Sequence, residues 1–122
     1  FNLDSYDAPN LKKLLSNPKI CKIFHYGRFD IAMIYKFLDI ELKNIYCTKI
    51  ASKIARTYTE GHGLKDICRE LLGVNISKQQ QCSYWGAVEL SKEQQEYAAS
   101  DVLHLHALRK ETLCLSVRIV RV

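Results

Sequence analysis

No stretch of this 122-residue chain approaches the roughly 20 consecutive apolar residues that a membrane-spanning helix needs, and no membrane partner is expected. The N-terminus lacks the charged, apolar and small-residue order of a signal peptide. There is no C-x-x-C pair. The five cysteines, Cys21, Cys47, Cys68, Cys82 and Cys114, are scattered and odd in number. That argues against a disulfide framework or a zinc site and reads as reduced, mostly buried thiols in a cytoplasmic protein. Internal repeats, low-complexity tracts and linkers are missing too. So is an initiator Met: the chain opens on Phe1-Asn2-Leu3, which reads as the tail of a strand whose beginning is absent.

What is present is ordinary globular composition, with 48% apolar and 25% charged residues. The length fits one domain, and a chain of this size hides roughly two-thirds of its unfolded surface. The net charge is +5, from 18 Lys and Arg against 13 Asp and Glu. A modest positive excess suits phosphate contacts to nucleic acid, and it equally suits a basic protein with no such partner.

Apolar periodicity and turn residues alternate strand and helix along the chain. Asp7 is an N-cap candidate, with Pro9 in the first turn of a helix bearing Leu11, Leu14 and Leu15. Residues 19–25 read as a central strand, and residues 29–38 as an apolar helix. A short strand follows at 44–47, then helices at 49–58 and 64–72, the latter closed by Gly73. A polar, Gln-rich loop with Trp85 covers 75–88. Ser91 and Gln94 have capping-box spacing and start a long helix to about Thr112. The final run, Leu113 to Val122, is β-prone and reads as an extra edge strand or as an atypical C-terminal tail. The class is α/β with a largely parallel sheet.

Several residues could carry chemistry. Asp30 follows the strand-to-helix turn at His25-Tyr26-Gly27-Arg28-Phe29, where sites form in open α/β sheets. A carboxylate in this apolar segment needs a partner or a metal; equally, an Asp in a first helical turn simply complements the dipole. Tyr97 and Asp101, four apart, share one helix face across the small residues Ala98, Ala99 and Ser100. On spacing alone, a packed Tyr beside a solvated Asp is the better reading. His25, His62, His104 and His106 read, on spacing, as structural or surface residues. Lys78, Gln79 and Trp85 could contact a nucleic-acid backbone and stack a base, or Trp85 could simply anchor a surface loop.

Taken together, the segments resemble the exonuclease domain of ribonuclease D, of the type with four acids and a tyrosine. Residues 22–30 resemble its second motif, a strand ending in K-x-F-H with Asp five residues beyond the His. Residues 46–52 and 63–68 resemble its T-x-x-A and G-L-K segments, and Tyr97-Ala98-Ala99-Ser100-Asp101 resembles its third motif, Y-A-A-x-D. The resemblance covers about residues 1–112. It implies a ribonuclease H-like fold, a mixed, mostly parallel sheet flanked by helices. It also implies hydrolysis of the 3′-terminal phosphodiester of RNA by two Mg²⁺ or Mn²⁺ ions, with single-stranded DNA as the alternative substrate. Asp101 would be a direct metal ligand, Asp30 would support the second metal through water, and Tyr97 would orient the attacking water. Asp30, Tyr97 and Asp101 are then expected to converge. His25, Arg28, Lys78, Gln79 and Trp85 would contact the nucleic acid.

The chain departs from the pattern in three places. No D-x-E first motif is found, so the first strands are expected to be missing and this polypeptide inactive. Tyr84 stands where an Asp often precedes the loop tryptophan. The run after Leu113 does not continue the family helix, and it is expected to cover an unpaired edge of the strand at Ile20–Phe24. A non-catalytic nucleic-acid-binding or scaffold remnant of the same fold is therefore a second reading, and an unrelated α/β protein a third.

Overall fold

The computed structural model describes residues 7–77 and 79–120. The chain divides into two compact units, Phe1–Cys47 and Thr48–Val122. The expected strand end at Phe1–Leu3 lies outside the described residues.

In the first unit, α1 (Pro9–Ser16) is followed by β1 (Lys22–Phe24), α2 (Arg28–Leu38) and β2 (Ile45–Cys47). Pro9 does start α1, but the N-cap position belongs to Ala8, with no side-chain cap; Asp7 instead pairs with Lys12 at 3.8 Å. The two strands are parallel, with Lys22 opposite Ile45 and Phe24 opposite Cys47, and among the described residues β1 pairs with β2 alone. The strand reading for 19–25 is right in place and too long. Its buried residue is not an aliphatic one but Lys22, whose Nζ donates to the carbonyls of Asn17 and Ile20, both at 2.7 Å. Those two bonds satisfy an ammonium group that burial would otherwise penalise. The apolar helix exists as expected, yet of its side chains only Leu38 is buried, and Phe29, Met33 and Phe37 are exposed.

In the second unit, α3 (Thr48–Ala55), α4 (Leu64–Leu72) and α5 (Lys92–Leu103) each pack against α6 (Leu105–Val120). Ile67, Cys68, Ile76 and Leu108 form the core, with Leu64, Leu71, Leu72 and Val74 against it. Gly73 ends α4 at φ 67°, the left-handed geometry in which a residue without Cβ is favoured.

Two helix readings are corrected. The expected single helix from Ser91 to Thr112 is broken at His104 (φ −98°, ψ −2°) into α5 and α6. The run from Leu113 is helical to Val120, neither a substitute strand nor a break in the helix; residues 121–122 lie outside the described residues. Leu105, Leu108 and Thr112 recur at helical spacing and are buried, so packing of that face overrides the β-propensity of the segment that follows.

Candidate active site

Ser91 and Gln94 form the expected capping box: Gln94 N–H donates to Ser91 Oγ at 3.2 Å, and Ser91 N–H donates to Gln94 Oε1 at 2.9 Å. This fixes where α5 begins, and hence the face on which Tyr97 and Asp101 lie. Both are half-buried. The Trp85 ring sits 5.9 Å from that of Tyr97, centroid to centroid, tilted by 45°. Trp85 is thus not a core anchor: it is 38% exposed and spends its contact on the tyrosine.

Burial pushes the Tyr97 phenol above its ordinary pKa, helped by the negative charge of Asp101. Burial also pushes the Asp101 carboxyl up. Among the described residues, no hydrogen bond or ion pair holds the carboxylate of Asp101 or that of Asp30. A desolvated carboxylate without a cationic neighbour is a hard oxygen donor suited to a divalent ion. Among the described residues, no three or more His, Cys, Asp or Glu side chains are grouped so as to hold a metal ion.

A cleft of about 280 Å³ opens on one side of Tyr97, lined among others by Ser77, Gln79, Glu93, Glu96, Ser100 and His104. Its amide groups come from Asn75, Gln79 and Gln80, and its acids and the hydroxyls of Tyr97 and Ser100 from α5. Gln79 and Tyr97 thus line the same cleft; Lys78 lies outside the described residues. Glu93 and Glu96 were not picked out from the sequence, although 93, 97 and 96, 100 are helical i, i+4 pairs that the Tyr97 motif would have exposed.

Asp30, His25 and Arg28 belong to the first unit. Asp30 occupies the first turn of α2 and is exposed, as is Arg28. The turn that delivers them is unusual. Tyr26 takes the left-handed conformation (φ 59°), which costs a residue with a side chain. At Gly27 an added Cβ would stand 2.6 Å from Phe24 Cγ, so this position has room for glycine only.

Sequence reading missed a buried network away from Tyr97. Arg56, 1% exposed, ion-pairs with Glu70 and donates to Ser52 Oγ at 2.9 Å and to the Gly61 carbonyl at 2.8 Å. Ser52 Oγ in turn meets His62 Nδ1 at 2.9 Å, and Tyr58 OH donates to Glu70. His62 is accordingly structural, as expected; His104 caps α5 and lines the cleft, while His106 is exposed.

With this geometry in hand, residues 2–113 match the family model described as 3′-5′ exonuclease. The chain belongs to the 3′-5′ exonuclease family. It is similar to ribonuclease D from Gluconacetobacter diazotrophicus, 30% identical over 84% of this chain and 26% of that protein. Among solved structures, Brucella melitensis NrnC is 53% identical with TM-score 0.91, covering 97% of this chain and 57% of that one. Structures of Brucella melitensis NrnC bound to pGG and of NrnC with bound Mg²⁺ match as well. Escherichia coli RNase D is 25% identical with TM-score 0.84 over 93% of this chain and 30% of that one. The chain thus spans about a quarter of the curated ribonuclease D and little more than half of NrnC. The exonuclease domain is of the ribonuclease D and NrnC type, with the α/β, ribonuclease H-like fold these neighbours share. The β1–α2 turn and the Y-A-A-x-D face of α5 fall inside the matched region.

Proposed function

We propose that this chain takes part in 3′→5′ hydrolysis of RNA ends, with Tyr97, Asp101 and Asp30 carrying the chemistry and divalent ions as cofactors. The observation that supports this most is the pairing of Tyr97 and Asp101 on one half-buried face of α5, both shifted upward by burial. Mg²⁺ on NrnC and its binding of pGG favour the same cofactor and substrate class here.

Asp101 would hold a divalent ion directly, and Asp30 would hold one through water. When bound, such ions stabilise both the attacking and the leaving oxygen of an in-line displacement. Tyr97 keeps its proton at neutral pH, because its pKa lies above the ordinary tyrosine value. Its hydroxyl can therefore donate one hydrogen bond and accept another, which orients a water for attack rather than deprotonating it. Trp85 closes one side of the tyrosine ring and offers an aromatic face to a base. Gln79 adds an amide, and His25 and Arg28 add donors for phosphate.

Two of the four family acids are in these residues, so the 122-residue polypeptide by itself is expected to bind Mn²⁺ poorly and to trim RNA little if at all. Titration with Mn²⁺ and a 3′-labelled RNA check this, run on the chain alone and on the chain joined to a D-x-E strand. The joined chain is expected to gain both properties. Robust metal-dependent trimming by the chain alone would show that its acids are complete without that motif. A joined chain that binds RNA but never cleaves it would favour a non-catalytic binding role.

A further inference from the structure

Gln94 is 7% exposed, and its side-chain amide is fully engaged. Oε1 accepts from Ser91 N–H at 2.9 Å, and Nε2 donates to Ser83 Oγ and to the Tyr84 carbonyl, both at 3.0 Å. An N–H only donates and a carbonyl only accepts, so these partners fix which way the amide faces. The two ends do different work. A capping box needs the acceptor alone, and a glutamate at this position supplies it equally well. The two donor bonds add nothing to the helix. They hold Ser83 and Tyr84, and the next residue is Trp85, whose ring lies 5.9 Å from Tyr97.

We propose that Gln94 is a positioning residue for Tyr97: its amide nitrogen clamps the Ser83–Tyr84 backbone to the start of α5, and this seats Trp85 against the tyrosine. One side-chain amide thus couples the start of the helix to the loop that shields its reactive residue. Gln94 lies three positions before Tyr97, so clamp and target share one rigid element. Ser83 Oγ also donates to the Gln80 carbonyl at 2.9 Å, so the clamp reaches back into the segment that lines the cleft. The consequence for hydrolysis rests on Tyr97 orienting the attacking water, as proposed above; the clamp itself does not.

Trp85 is the only tryptophan, so its emission reports the clamp without any need for hydrolysis. Gln94→Glu keeps an acceptor for Ser91 N–H but loses both donors and sets a carboxylate against the Tyr84 carbonyl. Ser91→Ala does the converse, weakening the cap and leaving the donors in place. Tyr97→Phe defines how much of the quench of Trp85 emission at alkaline pH comes from ionised Tyr97, since the chain has seven tyrosines. Gln94→Glu is expected to move Trp85 emission to longer wavelength and to lose most of the Tyr97-dependent quench. Ser91→Ala is expected to lower the melting temperature and leave both optical signals as they were. If Gln94→Glu does not fold, judged by helix content, Ser83→Ala removes one clamp bond from the loop side and is expected to give the same optical change in smaller measure. Unchanged emission and quench in the clamp variants, or equal changes in Ser91→Ala, would overturn the proposal. Full trimming by Tyr97→Phe in the chain joined to a D-x-E strand would instead remove Tyr97 from the reaction and leave the clamp standing.

Discussion

Asp101→Asn is expected to lower Mn²⁺-dependent release of 3′ nucleotides by at least about 10³-fold, read under single turnover in the chain joined to a D-x-E strand. Charge stabilisation by a bound metal is worth several kcal/mol, and each ~1.4 kcal/mol is a factor of ten in rate. Asparagine keeps the shape and one oxygen but not the charge. Tyr97→Phe is expected to lose less, about 10²-fold, because it removes one oriented proton and leaves the metal ligands alone. Neither loss should come from misfolding. The folded pKa of Asp101 is raised by burial, so the fold favours its neutral form. For a raised carboxyl, the stability present at low pH is lost as pH rises through the folded pKa. At neutral pH and without metal, asparagine removes that burden, and Asp101→Asn is expected to melt at or above the parent. Activity within tenfold of the parent would show that Asp101 holds no metal.

The second large effect concerns stability. Glu70→Gln is expected to destabilise the protein by about 3 kcal/mol in urea unfolding, because it strands the buried Arg56 guanidinium without its counter-charge. That sits at the low end for a broken buried pair, since the Glu70 side chain is 40% exposed and water reaches it. Burial disfavours the Arg56 charge, but hydrogen bonds to Glu70 and Tyr58 outweigh this and hold the guanidinium pKa above its ordinary value. Hydrogen bonds from Arg56 and Tyr58 hold the Glu70 carboxyl below the usual range. A depressed carboxyl contributes stability that is complete above its unfolded pKa, roughly 4.3, and is lost as pH falls through the lower folded value. The parent should therefore lose stability below about pH 4 more steeply than Glu70→Gln does. Parallel acid melts would sink the idea.

The signals that located the Tyr97 face were local. A capping box, a left-handed glycine after α4 and the Y-A-A-x-D spacing are each set within a few residues, and each is found where the sequence pointed. What could not be read was set by packing across longer distances. Arg56 has no motif: its role comes from Glu70, fourteen positions on, and from the Gly61 carbonyl between them. Lys22 interrupts the apolar run of the 19–25 strand, and only the nearby carbonyls of Asn17 and Ile20 explain why it is buried. The segment after Leu113 misled because its side chains favour extended backbone in isolation, whereas the buried face beginning at Leu105 continues the helix. The break at His104 has no proline or glycine to announce it.

α6 has a consequence for how the second unit comes apart. Three helices lean on it, and its Leu108 and Thr112 are wholly buried, with Thr112 Oγ1 donating to the Leu108 carbonyl at 2.7 Å. A helix that serves as a common wall cannot detach alone, since its departure uncovers α3, α4 and α5 together. Opening of this unit is then expected to be a single cooperative event, with the backbone amides around Leu108 exchanging with solvent only when the whole unit unfolds.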